Sequence, residues 1–430
     1  MNTSQDVLNH AQQTAHPSLS IAVIGAGPAG LSLALQAARA LPHAHITVFD
    51  ARPADKDVSQ DPRVLALSLG SVQELQRMGL WDAMQATQQV AAIRQVHVSQ
   101  QQPTVLWPGQ GQPAVHISAT EQGVPQLGAV ISYGTLVAPM QAAWLAAVAA
   151  DESRLSMRFG TPVKGVKAVS EGVEIDAEIV EHFDLAVIAE GGVFADQPKL
   201  SWPEGVSRDY RQKAWIGQVL LSDDTPAGVA YERFTPSGPA ALLPLPKGSV
   251  VPGGPVGPRA ALVWCVPSDD DPVAELNDSQ RLTVLNTIFP AQVGEIRQMS
   301  PLKVFPLGLN AHRRLVSDGA LVRIGNAAQT LHPVAGQGFN LGLRDVHELL
   351  AALVRASQGG ATDVASALRQ FERRRQPDRF TLIAGTDFLA RSFTFPAPIL
   401  ATARGLGLGA MQALGPLKRA LANTMMFGRR

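Results

Sequence analysis

A chain of 430 residues, 46% of them hydrophobic, is long enough for about two or three domains around a sizeable core. Its 36 basic residues balance 36 acidic ones, so no global field draws it to nucleic acid, and nucleic-acid binding is not expected. A single cysteine, Cys265, excludes an intramolecular disulfide, a CxxC redox pair and a cysteine-based zinc site; the cytoplasm is the expected compartment, with no metal site.

Residues 1–18 are polar, lack the basic start and apolar centre of a secretion signal, and are expected to form a flexible leader. The run "SIAVIGAG" then predicts a strand that enters Gly25-Ala26-Gly27-Pro28-Ala29-Gly30, followed by the helix-patterned "LSLALQAARAL" and a second strand, "HITVFD". Each part of this loop has a physical task. Gly25 makes the tight turn, Gly27 lets backbone approach a pyrophosphate, and Gly30 permits close helix–strand packing. The helix start supplies free N–H groups and a positive dipole end. Asp50, twenty residues beyond Gly30, is placed to hold the two hydroxyls of a ribose.

The uncharged run 128–150 has the length of a bilayer span, but Gly134 and Pro139 split it. It reads as a strand followed by a buried helix from 139. From about 200 to 300, β-type runs such as "AWIGQVLLS" and "AALVWCVP" alternate with Pro/Gly turns, which predicts a mixed sheet inserted into the first domain. Further on, the strand-like "ALVRI" leads into "GNAAQTLHPVAGQGFNLG" at 325–342, ahead of the helix-patterned "LRDVHELLAALVRA". Arg344 and Asp345 are expected to serve the helix structurally, the acid complementing its dipole. Spacing in the first loop does not separate FAD from NAD. A second glycine-rich turn some 300 residues later favours FAD, a long cofactor that needs protein at both ends.

The first loop, "DPRVLALSLGSVQELQRMGLWD" at 61–82, "AYERFTPSGPAALLPLP" at 230–246 and "GNAAQTLHPVAGQGFNLGLRDV" at 325–346 together resemble the ubiquinone-biosynthesis flavin hydroxylases, with "FERRRQPDR" at 371–379 also fitting. These are aromatic-ring monooxygenases related to 4-hydroxybenzoate hydroxylase. The Gly-Asn-Ala-Ala-Gln of the late loop is similar to that of their 2-polyprenyl-6-methoxyphenol hydroxylase branch.

The resemblance implies an α/β fold, with a glutathione-reductase-like, Rossmann-type FAD-binding domain, an inserted mixed β-sheet substrate domain and C-terminal helices. The expected partition is 19–82, 128–198 and 301–360 for the FAD-binding domain, 83–127 and 199–300 for the substrate sheet, and 361–430 for the helical region. It further implies FAD, molecular oxygen and an external reductant, NAD(P)H or another. The expected reaction is hydroxylation of a polyprenyl-methoxyphenol ring through a flavin C4a-hydroperoxide. Peripheral contact with the inner face of the membrane and with other ubiquinone-biosynthesis proteins goes with such a substrate.

On this resemblance Gly325 and Asn326 lie against the ribityl chain and pyrophosphate. Residues 332–338 pass the isoalloxazine, where Gly336 and Gly338 admit a flat ring. The helix from about Asn340 and Leu341 aims its N–H groups at the flavin N1–C2=O edge, a contribution of roughly 0.3–1 kcal/mol if exposed and up to about 2 if partly buried. Arg63 matches an arginine that approaches the cofactor. His332, Pro333 and Gln337 are the catalytic candidates: His332 either moves a phenol proton or shapes the loop with Pro333. Tyr231 and Phe234 are candidate pocket residues, and "ERF" at 232–234 is expected to hold an ion pair.

Two positions depart from the family pattern. Glu190-Gly191-Gly192 stands where relatives carry Asp-Gly and then Ser, and Pro139-Met140-Gln141 stands where an arginine often faces the cofactor. These leave two other readings open: another ring hydroxylase of the pathway, and a catalytically silent flavin-bearing scaffold. A nicotinamide dehydrogenase using only the first loop is a third.

Overall fold

The computed structural model describes residues 18–102, 114–192, 194–333, 336, 338–358, 362–392 and 398–428. Its first layer is a six-stranded sheet of β19 (Val316–Ser317), β20 (Leu321–Arg323), β12 (Leu185–Ile188), β1 (Ser20–Ile24), β2 (His45–Asp50) and β8 (Leu155–Phe159), in that order. All neighbours run parallel except β19 with β20. β1 reads as an almost unbroken apolar run because both of its faces are covered. Ile21 and Val23 join the core shared with helices α1 (Pro28–Ala40), α5 (Tyr133–Ala150) and α7 (Gly338–Ser357). Ala22 and Ile24 instead pack under a β-meander, β9 (Gly165–Val169), β10 (Gly172–Ala177) and β11 (Ile179–Phe183). In α1, Leu31, Leu33 and Leu35 are buried, each contributing about 1.5–3 kcal/mol.

The second layer is a nine-stranded mixed sheet. Its path runs β21 (Gln329–Thr330), β18 (Lys303–His312), β13 (Gly205–Leu221), β16 (Gly257–Pro267), β15 (Gly238–Gly248), β14 (Val229–Thr235), β5 (Gln95–Gln100) and β6 (Ala114–Ser118), with β17 (Ile296–Met299) beside β13. One face packs on α6 (Asp278–Ile288) through Leu262, Trp264 and Leu285. The partition expected at residue 300 does not follow the strands: β18 belongs to this sheet, and so does β21 from within the second glycine passage. That passage is therefore the seam between the layers.

A three-stranded sheet of β3 (Val64–Ser68), β7 (Gly128–Ser132) and β4 (Ala91–Ile93) bridges the two layers, with α2 (Leu69–Arg77), α3 (Trp81–Ala86) and the single turn α4 (Ala119–Gln122) nearby. Three helices, α8 (Val364–Ser392), α9 (Pro398–Ala413) and α10 (Gly415–Phe427), follow. The split of 128–150 into strand and helix holds, but α5 starts at Tyr133 rather than 139, because the Ser132 hydroxyl caps it by accepting from the Thr135 N–H at 3.1 Å. Among the described residues α5 is the one helix long and apolar enough to cross a membrane, and its Leu136, Val137, Met140 and Trp144 are buried in the core.

Candidate active site

The first glycine loop is built by close approach. Gly25 takes φ +104°, and a Cβ there would lie 2.9 Å from the Glu190 nitrogen. A Cβ at Gly30 would lie 2.0 Å from the Gly25 carbonyl oxygen. Gly27 differs: within 4 Å of its Cβ position stands only the Tyr133 hydroxyl, at 3.6 Å. The space a pyrophosphate needs at the N-terminus of α1 is open, and FAD fits there. Asp50 ends β2 and its carboxylate accepts from the Ala26 N–H at 2.7 Å and from Arg52 Nε at 2.9 Å. Arg52 in turn donates to the Ala26 carbonyl at 2.9 Å, so the acid that would hold the ribose also pins the turn. Arg63 pairs with Asp61 at 2.7 Å, which pushes its guanidinium pKa up, and lies 4.1 Å from the Tyr133 ring centre. Tyr133, whose ring it covers, brings its hydroxyl to within 3.6 Å of the Gly27 Cβ position.

The second glycine turn lies against the first. A Cβ at Gly325 would stand 3.4 Å from that of Ala29, in the opening turn of α1, and one at Gly191 would stand 3.2 Å from Asn326 Cβ. Glu190, at the surface here, has its carboxyl pKa pushed up by partial desolvation and by the charge of Asp50. Three stretches that are far apart in sequence thus lie together: 25–30, 190–191 and 325–326.

A buried polar network holds the second turn. Asp345 is fully buried; one carboxylate oxygen accepts from the Gly325 N–H and Gln329 Nε2, both at 3.1 Å, and the other from Arg375 Nε at 2.8 Å. Arg375 also pairs with Asp378 at 2.7 Å, and Arg379 donates to Gln329 and to the Ala328 carbonyl. Asp345 sits two turns into a helix that begins at Gly338, so its work is bracing this turn and not complementing the dipole. Nothing in local periodicity marks it; the paired charges of "FERRRQPDR" were the available signal.

Asn340 is a clasp. Its amide oxygen accepts from the Ser68 N–H at 2.8 Å and from the Ser71 hydroxyl at 2.7 Å, and its NH2 donates to the carbonyls of Ala66 and Gly336 at 3.0 Å each. With all four bonds made to protein, its side chain serves the loop. Leu341 is fully buried, so its side chain likewise points into the interior. Gly336 and Gly338 flank Gln337, which lies outside the described residues.

His332 is buried between the glycine passage and the large sheet. It is 2% exposed, burial lowers its pKa to about 4, and its Nε2–H donates to the Gln212 side-chain oxygen at 2.9 Å. Its ring meets Tyr210 edge-on at 5.4 Å, and Tyr210 and Gln212 flank Arg211 in a bulge of β13. It is a neutral anchor that ties the glycine passage to the large sheet; of the two readings left open for it, the geometry supports loop shaping. Pro333, next to it, does face the cavity described below.

That cavity has a volume of about 500 Å³. Ala66, Pro333, Gly336 and Asn340 belong to its lining, which is otherwise mostly apolar and comes from the large sheet and helices α8 to α10. Tyr231 and Phe234 line it as expected. The expected Glu232–Arg233 pair does not form, because consecutive strand residues face opposite ways. Arg233 donates to the Ile288 carbonyl and the Ser99 hydroxyl, whereas Glu232 faces the cavity. Burial raises the Glu232 pKa to about 8.

Residues 215–382 match the family model FAD_binding_3, an FAD binding domain. The 3-demethoxyubiquinol 3-hydroxylase of Escherichia coli (strain K12) is 30% identical over 420 residues, 93% of this chain and 96% of that protein. The ubiquinone hydroxylase UbiL of Rhodospirillum rubrum is 40% identical over 194 residues, 45% of this chain and 43% of that protein. Among solved structures, p-nitrophenol 4-monooxygenase PnpA from Pseudomonas putida shares the fold, with TM-score 0.69 and 13% identity across 96% of this chain and 99% of that one. HpxO of Klebsiella pneumoniae, complexed with FAD and uric acid, shares it at TM-score 0.66 and 17% identity across 96% and 98%.

Fold, glycine turns and relatives agree on the class, an FAD-dependent aromatic-ring monooxygenase. More narrowly, the chain belongs to the ubiquinone-biosynthesis FAD-dependent hydroxylase family.

Proposed function

We propose that this protein hydroxylates the ring of a polyprenyl-methoxyphenol intermediate of ubiquinone synthesis. The observation that carries the reading is the cavity of about 500 Å³: Pro333 and Gly336 of the second glycine passage belong to its lining, and the rest of the lining is mostly apolar, able to take a prenyl chain. FAD supplies the oxygen-activating chemistry once bound. The residues of this chain bind and orient it: Gly27 and the α1 N-terminus hold the pyrophosphate, Asp50 the ribose, and Asn326 the ribityl chain. The Asp345 network holds Gly325 and Asn340 holds Gly336, and the apolar walls exclude water from the reacting ring. The reductant is NAD(P)H or another donor, and the Glu190-Gly191 turn lies beside the cofactor slot whichever is used.

The substrate resides in a bilayer. Phe380 and Phe388, 75% and 68% exposed on α8, support peripheral contact of this helical side with the membrane or with other enzymes of the pathway.

The test is to delete the gene and identify the quinone precursor that accumulates. A polyprenyl-methoxyphenol supports the reading. Accumulation of 3-demethoxyubiquinol would replace it with a second one, which the near full-length relative of that activity favours. A silent scaffold is separated by assay: purified holoprotein given reductant, oxygen and phenol must form hydroxylated product, not peroxide alone. Within the site, Asn326→Asp is expected to keep FAD at wild-type stoichiometry and most of the activity, since either side chain accepts from a ribityl hydroxyl. Purification of that variant as apoprotein would show that the loop contact is misassigned.

A further inference from the structure

Five strands of the large sheet present one face to the cavity, and their side chains on that face follow the two-residue alternation of a strand. β5 and β6 supply three valines and Ile117; β15 supplies Ala241 and Leu243. β14 supplies Ala230 and Phe234, with Glu232 between them. Register sets Glu232 beside Ala241 on one side and Val98 on the other. Among the described residues no group donates a hydrogen bond to its carboxyl, and no cation pairs with it.

Other titratable groups around the cavity are occupied or inert. The Cys265 thiol on β16 has its pKa pushed up by burial and then by Glu232. The Tyr231 hydroxyl donates to the Gln292 carbonyl at 3.3 Å, and Asp378 on α8 is held by Arg375 and Arg344. From α9 and α10 come apolar contacts such as Leu408, Met411, Leu421 and Met426. A carboxyl with no protein partner in such a wall costs stability, and is the kind of group a ligand satisfies.

We propose that Glu232 receives the ring hydroxyl of the phenolic substrate and sets the aromatic head in the cavity, with the tail along the apolar remainder. The inference rests on the proposed function, in that it takes the substrate to be a prenylated phenol. A neutral carboxyl both donates to and accepts from a phenol; a carboxylate only accepts. In its ionised form Glu232 takes the phenolic proton: the phenol O–H bond breaks, a carboxyl O–H forms, and the negative charge passes to the ring oxygen, which enriches the ring for attack. When the hydroxylated ring regains aromaticity, Glu232 returns that proton to the oxygen, and the ring carbon's own proton passes to solvent as product leaves the water-excluding cavity.

The experiment compares binding of 2-farnesyl-6-methoxyphenol and its O-methyl ether to the FAD-loaded wild type, Glu232→Leu and Glu232→Gln. Wild type is expected to prefer the phenol by about 10- to 100-fold, and Glu232→Leu to fall within about threefold. With the phenol, kcat of the wild type should rise with pH in proportion to ionised Glu232, with its midpoint at about pH 8, and Glu232→Gln should lose that rise. A third readout needs no turnover. Because the folded pKa lies above the ordinary 4.5, the cost of ionising Glu232 is absent below pH 4.5 and grows as pH rises to about 8. Glu232→Leu should therefore melt above wild type at pH 8, with the gap closing toward pH 4.5. Undiminished phenol preference in Glu232→Leu overturns the role of Glu232 and leaves the substrate reading standing. Failure of wild type to bind either probe overturns both.

Discussion

A Gly27→Val variant is expected to purify colourless, with bound FAD below about a tenth of wild type, while the apoprotein melts as wild-type apoprotein does. The valine branches occupy the space that the pyrophosphate requires. They meet little protein, since only the Tyr133 hydroxyl lies within 4 Å of that Cβ position. Gly30→Ala is the contrasting control: its Cβ would lie 2.0 Å from the Gly25 carbonyl oxygen, so it should lose the fold together with the flavin. Flavin absorbance and thermal melts separate the two. Full flavin content in Gly27→Val would mean that the cofactor does not cross this loop.

The second large effect concerns Asp345→Ala, which should destabilise the protein by about 3–5 kcal/mol, because it strips the buried Arg375 of one of its two carboxylate partners. It also leaves the Gly325 N–H and Gln329 Nε2 without their shared acceptor. Asp345→Asn keeps the shape and an acceptor but loses the charge, and should cost less, about 1–3 kcal/mol. Denaturant titration of both apoproteins measures this. With Gly325 assigned to FAD in the proposed function, FAD affinity should fall in the same order. A loss under 1 kcal/mol for the alanine variant would show that the network is not what holds the turn.

Both predictions start from motifs that can be read in the chain, yet they differ in how far the chain alone carries them. The first loop is local: glycines, helix start and Asp50 act within about thirty residues, so their spacing already encodes their contacts. The role of Asp345 is not local. It depends on Arg375, thirty residues on, and on a turn twenty residues back, and a helix-dipole reading was all that its sequence surroundings offered. His332 is similar. Its neighbourhood suggested chemistry, but burial against Tyr210 and Gln212 makes it a neutral anchor. At Glu232 the residues were read as a pair, although strand geometry sends neighbours to opposite faces and only one of those faces is a cavity.

By itself, then, the sequence determined the layered α/β architecture, the dinucleotide loop and the resemblance to flavin hydroxylases, because apolar periodicity and glycine placement act over short distances along the chain. The tertiary structure alone decided that β18 joins the large sheet, that two glycine turns 300 residues apart touch, and which carboxyl is braced and which faces an empty apolar wall. Burial and charge pairing depend on what the fold brings alongside a side chain, and that is set by contacts that no local pattern records.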